Sequence, residues 1–362
     1  MKYAFNFIIA CHFLFSTNTI SASPEVITTV AFSNNGFLAA SGDTGAKIKL
    51  FDIVNYQEIN VISEESYDNS IYKIKFTPDD KYIISGSKQS LNLWDYKKNK
   101  IIRSFPTRYI VSIDIHKHFI LTGNWAGVLQ YWDYNSGKLL WEFKTSDPNI
   151  NSIKIMKNGK YAITGGDDAK ITLWDLKKGI PIKILANTKF LFRTVDVSYD
   201  EKWVAGDGFD NIIIRSLTSE KKLDLDDSNT YVHDLKFSPV SDFIVCAGNR
   251  GINIHNYTKG FKIAELLGHN DIITSIDISK NGKLLISGSW DSTVKVWSLE
   301  KYNPLYSFGT STFIPGPPSP FTEISENLYF FITFFIIISL IIIIVPITLL
   351  FYVVKMIKRN FK

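Results

Sequence analysis

Cysteine is almost absent: Cys11 and Cys246 are the only two in 362 residues. If the N-terminal segment is removed, Cys11 goes with it and no intrachain disulfide can form. On that reading cross-links do not hold this fold. A chain with 45 % hydrophobic residues can bury a large core without them. The signatures of common chemistries are missing as well. No HExxH zinc motif, cysteine pair, phosphate-binding GxxxxGK[ST] loop or GxSxG nucleophile elbow occurs, and no cofactor is implied. A surplus of charge is also lacking. The formal net charge is +5, but Lys2, Lys355, Lys358, Arg359 and Lys362 lie at the two ends. The remainder is close to neutral, which disfavours a nucleic-acid partner.

Charge is wholly missing from 328–354, LYFFITFFIIISLIIIIVPITLLFYVV. As a helix this run spans ~40 Å at ~1.5 Å per residue, more than a ~30 Å hydrocarbon core. It is expected to cross a membrane with some tilt, Tyr329 and Tyr352 at the interfaces and a bend at Pro346. At the other end, 1–23 carries one lysine, an apolar stretch over 4–15 and small residues at Ala22 and Ser23. It reads as a secretory signal peptide. The competing reading is an uncleaved strand over 17–21 that closes the fold. Between the core and the apolar run, 310–327 contains Pro-Gly-Pro-Pro-Ser-Pro, an extended stalk. The tail 355–362 carries four positive charges and no negative one, so it is expected in the cytosol with the folded domain lumenal or extracellular. The alternative is a tail-anchored chain whose folded domain is cytosolic.

What is there is a repeat. Residues 268–299, GHNDIITSIDISKNGKLLISGSWDSTVKVWSL, alternate apolar and polar positions over 272–278, 283–288 and 293–299. Lys-Asn-Gly (280–282) and Trp-Asp-Ser (290–292) supply the turns, and a fourth strand is expected near 304–308. Six weaker copies precede it. Their third strands close at Phe51, Trp94, Trp132, Trp174, Arg215 and His255, and the last at Trp297, 38 to 43 residues apart. A period near 40 with four short strands per unit predicts an all-β propeller of seven blades over 24–309. Inner-strand apolar positions agree: Val30, Ile74, Ile113, Ile153, Val195, Leu235 and Ile276.

Within the last unit, His269, Ser287, Asp291 and Trp297 can pair as alternating donors and acceptors, leaving none buried alone. With its opening Gly268-His269, the unit resembles the WD-repeat family. The resemblance implies a four-stranded blade braced by a structural tetrad. Read as a hydrolase triad, the Ser-His-Asp set lacks any accompanying nucleophile elbow or oxyanion signal. The fourth repeat keeps Thr164, Asp168 and Trp174 but has Ser146 in place of the histidine. His116-Lys117-His118 offers two imidazoles with no third ligand nearby, a solvated turn rather than a metal site.

Binding is the better prospect. The turns between second and third strands share a face, the upper one, with the entries to the inner strands. There the sequence places Trp125, Phe209 and Trp290, with Tyr72, Arg193 and His233 just inside, residue types that dominate interaction hot spots. Asn256-Tyr257-Thr258 is a glycosylation sequon in a turn of the opposite face. These features describe a non-enzymatic scaffold for protein partners, held at a membrane through 328–354. The competing class is a membrane-anchored propeller exchange factor for a small coat GTPase of the secretory pathway. Those resemble this layout but carry a long Gly-rich, ion-binding loop in the first blade, where this chain has only SGDTGAKIKLFD (41–52).

Overall fold

The computed structural model describes residues 25–63, 69–146, 148–209, 211–226, 231–249 and 251–309. The expected signal, stalk, apolar run and basic tail lie outside the described residues. So does the proposed closing strand over 17–21.

Seven antiparallel sheets of four strands each follow one another along the chain, over 27–63, 71–105, 110–144, 152–187, 195–226, 234–267 and 273–308. The fold is an all-β seven-bladed propeller. Among the described residues there is no helix, and none long and apolar enough to cross a membrane. The last blade's strands, Ile273–Ile278, Leu284–Ser289, Val294–Ser298 and Asn303–Phe308, fall within a residue or so of the sequence expectation. Gly282 takes up φ 71° in the Lys-Asn-Gly turn, a conformation glycine adopts without steric cost.

The core lies between blades rather than within them. Each of seven apolar clusters draws on two neighbours. One joins Ala40, Ile48 and Leu50 of blade 1 to Ile74, Phe76 and Trp94 of blade 2. Another joins Ile27, Val30 and Phe51 of blade 1 to Ile286, Val296 and Phe308 of blade 7. All seven predicted inner-strand positions are buried, none more than 7 % exposed. Second-strand glycines set the spacing. A Cβ on Gly42, Gly86, Gly123 or Gly288 would come within 2.6 Å of an isoleucine methyl of the next blade, Ile71, Ile110, Ile150 or Ile27.

Each inner strand is a sheet edge, and its free amides need acceptors. The neighbouring blade supplies them. Val195 N donates to Ser152 Oγ at 3.0 Å, Leu235 N to Thr194 Oγ1 at 3.3 Å and Val30 N to Ser275 Oγ at 3.3 Å. One tier lower, Ile155 N donates to Asp114 Oδ2 at 2.7 Å, Phe237 N to Asp196 Oδ2 at 2.9 Å and Phe32 N to Asp277 Oδ2 at 2.9 Å. Around that lower tier, aspartates of blades 3, 5 and 7 alternate with Lys75, Lys154 and Lys236 of blades 2, 4 and 6. Lys154 sits 3.3 Å from Asp196, which holds its ammonium above the usual lysine range despite burial. The seam between blades 7 and 1 uses the same chemistry as the others, with Thr274 Oγ1 also donating to Ile27 O at 2.7 Å. Among the described residues no strand is shared across it.

This seam yields a prediction. A methyl added in Gly288→Ala meets Ile27 Cγ2 at 2.4 Å, an overpacking that costs about 1–3 kcal/mol. Trimming the partner in Ile27→Ala should restore part of that loss. Chemical denaturation of the two single variants and the double variant measures the coupling, and strict additivity would contradict the close approach.

Candidate functional site at the upper mouth of the channel

In the last blade the four sequence-paired residues form one chain. Trp297 Nε1 donates to Ser287 Oγ at 2.8 Å, Ser287 Oγ lies 2.7 Å from His269 Nε2, and His269 Nδ1 lies 2.9 Å from Asp291 Oδ2. The order assigns the imidazole proton to Nδ1, donating to the carboxylate. Burial pushes the His269 pKa down. Burial also pushes Asp291 up, but hydrogen bonds from His269, Thr293 and the Asn270 amide outweigh it and hold the carboxyl well below its usual range. Ser287 is fully buried with its hydroxyl engaged on both sides, so no substrate reaches it. The arrangement braces the blade.

The other blades retain pieces of this brace. Trp174 Nε1 donates to Thr164 Oγ1 at 2.9 Å, while Asp168 accepts from the Lys170 amide at 3.0 Å and pairs with its ammonium at 3.4 Å. Trp94 reaches Ser85 at 2.8 Å. Trp132 does not reach Thr122: its indole N–H is buried without a partner, and a Thr107–Gln130–Glu142 chain forms instead. In blade 5, Arg215 turns outward to Asp224 at 2.6 Å. Asn256 stands at the end of the third strand of blade 6, its side-chain oxygen accepting from Thr258 Oγ1 and Lys259 N, both at 2.9 Å. His116 packs over Gly159 and His118 against the Phe119 ring. No metal-ligating cluster occurs among the described residues. The upper turn of blade 1 is only the three residues 44–46.

On the upper face the structure gathers aromatics into two groups. Tyr72 lies 5.1 Å from Trp125, which stacks on Tyr109 at 5.9 Å. Phe209 stacks on Phe190 at 4.7 Å and meets Tyr231 edge-on at 5.4 Å. Trp290 is 42 % exposed and joins neither group. Tyr109, Phe190 and Tyr231 are 42 %, 45 % and 44 % exposed and were not singled out by sequence. The available signal was an aromatic immediately before the inner strand, as at Tyr109-Ile110. Tyr109, Phe209 and Tyr231 hold left-handed φ of 58°, 77° and 44°, a costly conformation for bulky side chains.

Between the groups, the mouth of the channel opens into a cavity of about 150 Å³ lined by Tyr72, Lys73, Arg193, His233 and Asp234, among others. Arg193 Nη1 pairs with Asp207 at 3.3 Å, and Asp207 Oδ1 accepts from the Arg193 and Thr194 amides at 2.7 and 3.0 Å. Burial nevertheless pushes the Asp207 carboxyl up to about 6. Asp234 accepts from Lys236 at 2.7 Å, Thr194 Oγ1 at 2.9 Å and the Ile276 amide at 3.0 Å. Burial and the Arg193 charge push His233 down to about 4.

Two families match the chain. The WD domain, G-beta repeat matches residues 137–175 and 260–298. The Nucleolar protein 10-like, N-terminal domain, a propeller domain, matches 9–128, a stretch that begins inside 1–23. The chain carries WD40 repeats. Each matched repeat takes the outer strand of one blade and the inner three of the next, so the sequence unit straddles a seam. The yeast (Saccharomyces cerevisiae) guanine nucleotide-binding protein subunit beta is 24 % identical over 297 residues, 78 % of this chain and 69 % of that one. Drosophila melanogaster protein groucho is 25 % identical over 297 residues, again 78 % of this chain but 40 % of groucho.

The site predicts a pH dependence. His233 titrates near 6.5 when unfolded and about 4 when folded, so the folded state binds its proton less readily. Its contribution is complete above pH ~6.5 and is lost as pH falls to about 4, on the order of 3 kcal/mol in all. Asp207, raised to about 6, acts in the opposite direction, since its folded form takes up a proton first. The comparison of wild type with His233→Gln isolates the histidine. The stability difference between them should shift by that amount from pH 7 to pH 4, whereas a constant difference would mean that the imidazole is solvated.

Proposed function

We propose that this protein is a non-enzymatic platform for protein partners, held at a membrane through 328–354, and that partners dock on the upper face. The supporting observation is the pair of aromatic groups around the channel mouth, with Trp125 and Phe209 at their centres. Half-exposed aromatics beside an arginine are the side chains on which interface energy concentrates. The WD40 repeats and the named relatives favour the same reading, one of the relatives being a subunit by name. WD-repeat propellers typically act as scaffolds, and a rigid ring with short, freely varying upper turns suits that use. The charge-free run and the basic tail support anchoring with the tail in the cytosol and the ring on the far side.

Two experiments test this reading. Trp125→Asp combined with Phe209→Asp should abolish co-purification of protein partners. Ile182→Asp, on the exposed outer strand of blade 4, should leave it intact. Equal loss from both would move docking off the upper face. In sealed vesicles bearing the full chain, external protease should remove the tail and spare the ring. Digestion of the ring with the tail protected would invert the orientation and make the propeller cytosolic.

A further inference from the structure

The channel wall leaves one cation without a directly bonded carboxylate. Five basic side chains line the upper cavity, Lys73, Lys75, Lys154, Arg193 and Lys236, against three carboxylates, Asp114, Asp196 and Asp234. Arg193 is matched by Asp207 behind it, and Asp277 one tier lower brings the wall close to neutral, but one ammonium is left without a directly bonded carboxylate. Geometry places it on Lys73. Lys75 lies 3.9 Å from Asp114, Lys154 3.3 Å from Asp196 and Lys236 2.7 Å from Asp234. Asp234 is already saturated by four donors, counting Ser275 Oγ at 3.3 Å. Among the described residues the Lys73 ammonium has no hydrogen-bond or ion-pair partner. At the equivalent position of other blades the hydroxyls of Thr29, Ser152, Thr194 and Ser275 and the carboxylate of Asp234 accept from a backbone amide of the next blade, whereas a lysine here has no acceptor to offer. Its neighbour in sequence, Tyr72, lines the same cavity and contacts Trp125, so the charge and the aromatic rim are continuous.

We propose that the channel mouth seats the side-chain carboxylate of an acidic peptide segment on Lys73, with an adjoining apolar residue against the Tyr72–Trp125 pair. The inference rests on the upper face being the docking surface. A singly charged group matches the one ammonium that has no bonded carboxylate. A phosphate dianion would bring surplus negative charge against Asp234 and Asp114. Desolvation at this half-buried position pushes Lys73 down to about 8; Asp234 and Asp277 oppose that shift, and Lys236 and Lys75 add to it. A bound carboxylate would draw the proton back, so affinity should fall as pH rises through that value.

The test is calorimetric titration of the full chain with acetyl-Gly-Phe-Glu-Gly-amide and with its glutamine counterpart. The glutamate peptide should bind at least tenfold more tightly at pH 7 and lose that advantage by pH 9.5. Lys73→Met should erase the preference while melting at an equal or higher temperature, and Lys73→Arg should keep it. Trp125→Ala should weaken both peptides alike. Equal binding of the two peptides, no binding of either, or a preference that survives Lys73→Met overturns the inference. Inorganic phosphate binding more tightly than the glutamate peptide, and only when Lys73 is present, would overturn it in favour of a free-anion site. If the peptides fail while the Trp125 and Phe209 substitutions still abolish partner capture, the carboxylate site is wrong and the platform stands.

Discussion

A propeller blade exposes the edge of its inner strand to the central channel, and every other feature of this ring depends on how that edge is satisfied. Here the neighbouring blade does it with a hydroxyl in the upper tier and a carboxylate in the lower one, as between Thr194 and Leu235 and between Asp196 and Phe237. Buried carboxylates cost free energy unless their charge is matched. The lysines of the intervening blades match it, Lys154 against Asp196 being the closest such contact across a seam. The result is a channel whose wall is charged yet nearly neutral, and whose described blades are fastened to one another through side chains. Apolar clusters at each seam supply the bulk of the burial, and glycines such as Gly288 let the blades approach.

That fastening explains why the internal brace of each blade can decay. Only the last blade keeps the full His269–Ser287–Trp297 chain with Asp291. Blade 3 leaves the Trp132 indole unpaired, and blade 5 replaces the tryptophan by Arg215, which escapes to Asp224. A buried unpaired N–H costs about 1–3 kcal/mol, which a ring sewn at seven seams tolerates. The brace stiffens single blades; the seams make the ring.

The sequence carried the blade count and strand order because period-2 alternation and a 40-residue period are properties of the backbone geometry itself. It also placed His269, Ser287, Asp291 and Trp297 together, since residues at fixed positions of one blade must meet. The upper face was only half legible. Trp125, Phe209 and Tyr72 were visible because they sit at identifiable turn and strand positions, but their partners Tyr109, Phe190 and Tyr231 come from connections of variable length. Left-handed backbone at Tyr109 and Tyr231 decides where those rings point, and no local pattern announces it. Lys73 was hidden for another reason. Its lack of a partner is a statement about four other blades, and one strand cannot make it.

Side chains bonded to inner-strand amides join blade 7 to blade 1. Native-state hydrogen exchange in wild type and Asp277→Ala tests this most directly. The Phe32 amide bonds to Asp277, whereas the Phe237 amide bonds to Asp196, two seams away. The account predicts that Phe32 and its strand neighbour Val30 lose far more protection than Phe237, through opening of one seam. An unchanged Phe32, or an equal loss at Phe32 and Phe237, would contradict it.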